Sequence, residues 1–93
     1  MILPETRLSP NDNVFSREFD GELVLLDLDS GVYYGLDAVA SDAWKRMCDA
    51  HKSVQETIAD MLPLYDVQER TLAADLTALA SDWLAKGLVR VQP

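Results

Sequence analysis

The chain is short of the residues that most site chemistry needs. It has one cysteine and one histidine. A lone cysteine excludes an intrachain disulfide, and the two together exclude a His/Cys zinc cage built from this chain alone. Positive charge is scarce: eight Lys and Arg stand against sixteen Asp and Glu, a formal net charge of −8. Affinity for nucleic acid comes largely from cations that displace phosphate counterions, so this balance argues against a DNA or RNA partner. No apolar run reaches the roughly 18 residues of a membrane-spanning helix. The opening ten residues show no basic stretch followed by an apolar block, hence no secretory signal, and a cytoplasmic location is expected. The four glycines form no phosphate-cradling loop. What is present is 93 residues, 48% hydrophobic and 26% charged, enough for one small folded domain.

Residues 1–12 read as a loosely ordered lead-in, with Pro4 and Pro10 among turn-forming polar residues. Residues 13–93 then form one domain. Val14–Phe19 is rich in aromatic and β-branched types and runs into Asp20-Gly21. That dipeptide suits a tight hairpin, whose two central residues need positive φ. The next run, Glu22–Asp29, is apolar on both faces around Leu23-Val24-Leu25-Leu26, which fits a central strand. Ser30-Gly31 turns into a third strand, Val32–Leu36. Three helices follow. Asp37 caps the first, over 38–50, with Val39, Ala43, Trp44 and Met47 as its apolar stripe. Ser53-Val54-Gln55-Glu56 is a capping box that opens the second. The third spans 68–86, with Leu72, Leu76, Leu79 and Trp83 inward and Gly87 as its stop. Leu88–Val91 is a short final strand or an extended tail. A small sheet needs one face covered, and only the helices can cover it. The expected class is therefore α+β, a winged helix-turn-helix-like domain with a three-stranded antiparallel sheet followed by three helices.

Several of these segments resemble the PqqD-like family. They are Leu23-Val24-Leu25-Leu26-Asp27-Leu28-Asp29-Ser30-Gly31-Val32-Tyr33-Tyr34-Gly35-Leu36, Trp44, Ser53-Val54, Leu64-Tyr65-Asp66-Val67, Asp75-Leu76 and Trp83-Leu84-Ala85-Lys86-Gly87-Leu88-Val89. The likeness covers roughly residues 13–91 and is nearer to stand-alone members from lasso-peptide clusters than to the pyrroloquinoline-quinone protein itself. It implies a non-catalytic recognition element without a cofactor. Such an element binds the leader of a ribosomally made precursor peptide and presents it to a leader peptidase and cyclase, or to a radical SAM enzyme. It also implies where the leader lies: as an added strand along Val32, Tyr33, Tyr34, Gly35 and Leu36, walled by the 70–83 helix. Leu72, Asp75, Leu76, Ala78, Leu79 and Asp82 are the candidate wall residues.

The residues suit that role on their own chemistry. A strand that leaves a meander straight into a helix can keep an unpaired edge, and such an edge offers N–H and C=O groups to an extended peptide. Gly35 lets another backbone approach. Tyr33 and Tyr34 point to opposite faces, although both also read as ordinary strand residues. Asp75, Ala78 and Asp82 share one helical face, which is either a shallow acidic groove floor or a solvated surface. On their spacing alone, Leu72, Leu76, Leu79 and Trp83 read as core. A proline at Tyr34 is expected to break pairing at the edge. His51 sits in a turn and Cys48 near a helix end, with no nucleophilic arrangement around them. Asp27-Leu28-Asp29-Ser30-Gly31 lacks the fifth and twelfth ligands of a calcium loop, at Gly31 and Ala38. Two other functions fit the fold: a winged-helix transcriptional regulator, and a small scaffold that homodimerises through its free edge.

Overall fold

The computed structural model describes residues 2–93. In chain order it contains β1 (Leu8–Pro10), β2 (Val14–Phe19), β3 (Glu22–Asp27), β4 (Val32–Gly35), α1 (Ala38–Trp44), α2 (Val54–Met61), α3 (Glu69–Ala85) and β5 (Val89–Val91). The sheet order β2-β3-β4 is the antiparallel meander read from the sequence, with the doubly apolar strand in its centre. Phe19 pairs with Glu22, so only Asp20 and Gly21 form the first turn, at φ 51 and 83. Their positive φ is what the Asp-Gly dipeptide supplies. The second connection is longer than a tight turn. Leu28–Gly31 forms a four-residue loop between paired Asp27 and Val32, closed by the Gly31 N–H on the Asp27 carbonyl at 2.7 Å. The Asp27 carboxylate pins this loop, accepting from Asn13 Nδ2 at 2.8 Å and from the Asp29 N–H at 3.0 Å.

Two segments depart from the sequence expectation. The lead-in expected to be loose is ordered over residues 2–12: β1 pairs antiparallel with β5, and Leu8 is fully buried in the core. Asn11 Nδ2 reaches the Gly87 carbonyl at 2.7 Å, and the Gln55 N–H reaches the Pro4 carbonyl at 2.9 Å. A three-residue strand has too few positions to show alternation, and its partner lies some eighty residues away, so no local pattern reveals it. Met1 lies outside the described residues. The first helix is also not uniform. After Trp44 it widens into a π-helical turn, Lys45–Asp49, with the Ala50 N–H bonding the Lys45 carbonyl at 2.9 Å. That wider turn carries Met47 and Cys48, both fully buried.

The helices close over the inner face of the sheet. Trp44 and Trp83 meet edge-on, with ring centroids 5.1 Å apart and planes at 79°. α3 buries Leu72, Leu76, Ala80 and Trp83. The core stripe therefore passes through Ala80, and Leu79 is only half-buried. Gly87, at φ 73, ends α3 as expected: its N–H bonds the Leu84 carbonyl and the Leu88 N–H bonds the Trp83 carbonyl. Asp37 and Ser53 cap α1 and α2 in the expected way, and Ser53 with Glu56 completes a capping box.

Ser41 ties the sheet to α1. Its buried hydroxyl accepts from the Leu23 N–H at 2.8 Å and donates to the Leu36 carbonyl at 3.2 Å. It thus bridges one rung of the β3–β4 ladder. Ser41→Ala should leave the Leu23 N–H without a partner and cost about 1–3 kcal/mol, read as a lower urea midpoint with an unchanged slope. Asp27 gives a second test. Its hydrogen bond from Asn13 holds the carboxyl below its ordinary value of 3.8, against a smaller opposing effect of burial. A depressed folded pKa stabilises above the unfolded value and loses that contribution as pH falls through the folded one. The β3–β4 loop should therefore loosen below pH 3.8, seen as faster amide exchange at Leu28–Val32, and Asn13→Ala should raise the pH at which this begins.

Candidate functional site

The two edges of β4 differ. The Leu36 N–H donates to the Leu23 carbonyl at 2.9 Å. With the register Leu25↔Tyr34 and Asp27↔Val32, antiparallel alternation turns the backbone groups of Val32, Tyr34 and Leu36 toward β3. Those of Tyr33 and Gly35 therefore point away from the sheet. β4 is the last strand of its sheet, so this side has no partner strand among the described residues. The open stretch is bounded at one end by the Leu28–Gly31 loop. At the other end the Asp37 carbonyl is engaged by the Ser41 N–H at 2.8 Å.

Side chains alternate across the same strand. Tyr33 is 69% exposed on the outer face, beside Leu26 and Phe15. Tyr34 faces inward and is half-buried against the core. The phase also corrects the proline expectation. The Tyr34 N–H belongs to the internal ladder, so proline there would damage the sheet; Tyr33 is the position whose N–H faces outward. Gly35 has an ordinary φ, and a Cβ built on it meets nothing within 4 Å, so its small size is not required by the free protein.

Beside this edge runs a trough made of two adjoining hollows. One, of about 420 Å³, is lined by Tyr33 to Asp37 and Ala40 and, opposite them, by Leu79, Asp82, Trp83, Lys86 and Leu88. The other, of about 480 Å³, is lined by Asp37, Val39 and Ala40 against Asp75, Ala78, Leu79 and Asp82. Ala40, Ala78, Leu79, Trp83 and Leu88 supply apolar lining, and the charges are graded along the trough. Lys86 Nζ lies 2.8 Å from Asp82 Oδ2 and 5.2 Å over the Tyr34 ring. Asp37 Oδ1 accepts from the Ala40 N–H at 2.8 Å. Asp75 makes no ion pair among the described residues. One end is therefore acidic, and Lys86 partly neutralises the other.

The trough gathers Tyr33, Tyr34, Gly35, Leu36, Asp75, Ala78, Leu79 and Asp82. Val32 is 43% exposed at the start of the strand and lines neither hollow. Leu72 and Leu76 do not reach the trough either: at 3% and 0% exposure they belong to the core. A helix turns 100° per residue, so positions 75, 79, 82 and 86 form one wall stripe while 72, 76, 80 and 83 form the buried one. Continuing the stripe from 82 to 86 would have found Lys86. Asp37, Val39, Ala40 and Leu88 come together only through tertiary packing. Cys48 and His51 lie elsewhere. Burial pushes the Cys48 thiol up, away from the reactive thiolate. His51 sits in a turn at φ 57, exposed. A larger hollow, about 620 Å³, lies between residues 2–4, α2 and the first half of α3, but no strand edge borders it.

Comparison with known proteins follows the same architecture. A solved structure of TbiB1 in complex with the TbiA(beta) leader peptide matches with a TM-score of 0.82 and 33% identity, over 88% of this chain and 94% of that one. A lasso peptide synthetase B1 complexed with the leader peptide matches with a TM-score of 0.80 and 27% identity, over 92% and 98%. No curated protein matches the chain. The family model for coenzyme PQQ synthesis protein D matches residues 22–89, from the start of β3 to the start of β5, and so takes in β4 and both walls of the trough. This chain belongs to the PqqD family.

Proposed function

We propose that this protein is a non-catalytic recognition element of lasso-peptide biosynthesis. It binds the leader of a ribosomally made precursor by strand addition to β4 and holds it for the enzymes that act on it, a leader peptidase and a cyclase. The observation that carries this reading is the unpaired Tyr33–Gly35 edge lying beside a trough of mixed apolar and charged lining. Similar proteins are named as leader-peptide complexes, which agrees with it. Strand pairing supplies affinity with little demand on sequence, and the trough supplies selection. Two or three apolar leader side chains, at roughly 1.5–3 kcal/mol each, bring binding to the micromolar range after the costs of association. The module works in the cytoplasm, where the precursor is made.

A DNA-binding winged helix is disfavoured by charge. The exposed trough face of α3 carries Asp75 and Asp82, and α2 carries Glu56 and Asp60. Lys52 and Arg46 are already engaged with Asp60.

The direct test is fluorescence anisotropy of a labelled leader peptide encoded beside this chain, with saturable binding expected. Tyr33→Pro removes the outward N–H on an edge strand that tolerates proline. It should weaken binding about tenfold or more beyond Tyr33→Ala, with circular dichroism unchanged. Equal affinity of the two variants would place the leader on another surface. Asp75→Lys should weaken a leader with a basic residue at the acidic end by about two- to fivefold at low salt and leave a neutral leader unaffected. Sedimentation with and without peptide separates leader capture from self-pairing of the edge: a dimer that peptide does not dissociate would favour the scaffold.

A further inference from the structure

The hollow of about 620 Å³ lies on the other flank of α3 from the trough. Each residue of a helix is turned by about 100° from the last, so Ala73 and Thr77, which line this hollow, point away from Asp75 and Leu79. Val54, Ile58 and Ala59 of α2 form the facing wall. Residues 2–4 form a third side. They are pinned by the Gln55 N–H on the Pro4 carbonyl at 2.9 Å and by the Leu3 N–H on Thr6 Oγ1 at 2.8 Å. The hollow is thus built into the free protein. Glu69 and Arg70, at the start of α3, complete its rim. Arg7, Lys45, Arg46, Lys52, Lys86 and Arg90 each pair with a carboxylate. Among the described residues Arg17 and Arg70 do not, although the chain holds sixteen Asp and Glu against eight Lys and Arg. Arg17 stands on the exposed strand β2, and Arg70 stands at this hollow. Glu69 leaves it unpaired, because adjacent residues of a helix do not face each other.

We infer that this hollow docks a helix of an enzyme that acts on the captured precursor. The apolar face of that helix lies between α2 and α3, and one of its carboxylates meets Arg70. The choice of partner rests on the leader-binding reading; the fit to a helix does not. An extended chain laid here finds no strand edge to pair with, and buried N–H and C=O groups without partners are costly. A helix satisfies its own. The hollow runs along α3 from Glu69 to Thr77. At 1.5 Å per residue that is about 12 Å, roughly two helical turns, enough for anchors at i, i+4 and i+7. Ala59, Ala73 and Thr77 are small, so the incoming axis can approach to the usual distance of about 8–10 Å. Arg70 calls for a carboxylate, and Glu69 beside it repels a second. The docking face is therefore apolar with a single acid. The body of α3, about 10 Å across, separates this hollow from the trough, so leader and enzyme can be held at once.

Biolayer interferometry with the purified peptidase and cyclase encoded beside this chain tests the docking, with and without leader. Leader affinity is read separately by anisotropy. Ala59→Trp fills the hollow from an exposed position of α2, so circular dichroism should be unchanged. It should weaken at least one of the two enzymes about tenfold or more and leave leader affinity as it is. Arg70→Glu should weaken the same enzyme about two- to fivefold at low salt, and Arg70→Lys should keep most of the affinity. If Ala59→Trp binds both enzymes as the wild type does, or if neither enzyme binds the wild type, docking at this hollow is overturned while leader capture stands. If the leader does not bind, that reading fails by itself, and enzyme affinity lost on Ala59→Trp still supports the groove. A small carboxylate retained by the wild type in native mass spectrometry and lost from Ala59→Trp would make the hollow a small-molecule site and overturn the docking of a helix.

Discussion

The structure depends on a strand that is hydrogen-bonded on one side only. β4 is four residues long, too short to hold its position unaided, and everything around it fixes that position. The Asp27 carboxylate pins the loop before it. Ser41 bridges the last rung from inside α1. Asp37 bounds the open edge with its backbone carbonyl, and its carboxylate caps α1 beside the trough, so one residue sets both the length of the open edge and the charge beside it. Because the partner side of β4 is anchored so closely, the vacant side is presented with little freedom left to lose, which reduces the entropy that an added strand must overcome.

α3 serves two surfaces through its periodicity. Its buried stripe carries Trp83 and three smaller apolar residues. Its neighbouring stripe alternates acids with Ala78 and Leu79 and ends at Lys86. Small or half-buried residues at 78 and 79 keep the wall low, so the trough is shallow enough for an extended chain. The acids on it are exposed and screened, and they serve selection more than affinity.

Much of this was legible in the residues. The Asp-Gly turn, the doubly apolar central strand, the Asp37 and Ser53 caps and the Gly87 stop are local devices, each readable from a few adjacent positions. The edge was legible too, because a third strand that passes directly into a helix has no later strand to pair with. The misplacements have separate causes. Leu72 and Leu76 became candidates for the wall through the family resemblance, which implies a helix and not one of its stripes, although their spacing already reads as core. Tyr34 seemed the edge position because alternation is clear in a sequence but its phase is not; that phase is set by the Leu23–Leu36 rung. The β1–β5 pair joins opposite ends of the chain and leaves no local trace.

The edge-on tryptophan pair gives the fold an optical property of its own. The chain contains only two tryptophans, and they form one T-shaped unit. Trp83 contributes to the trough wall, while Trp44 lies behind it with an indole N–H that has no hydrogen-bond partner among the described residues. Exciton coupling between the two rings depends on their mutual angle, so an occupant that shifts Trp83 by a few degrees changes the near-ultraviolet dichroism of the whole protein. An occupant that moves Trp83 would therefore be seen without any attached dye.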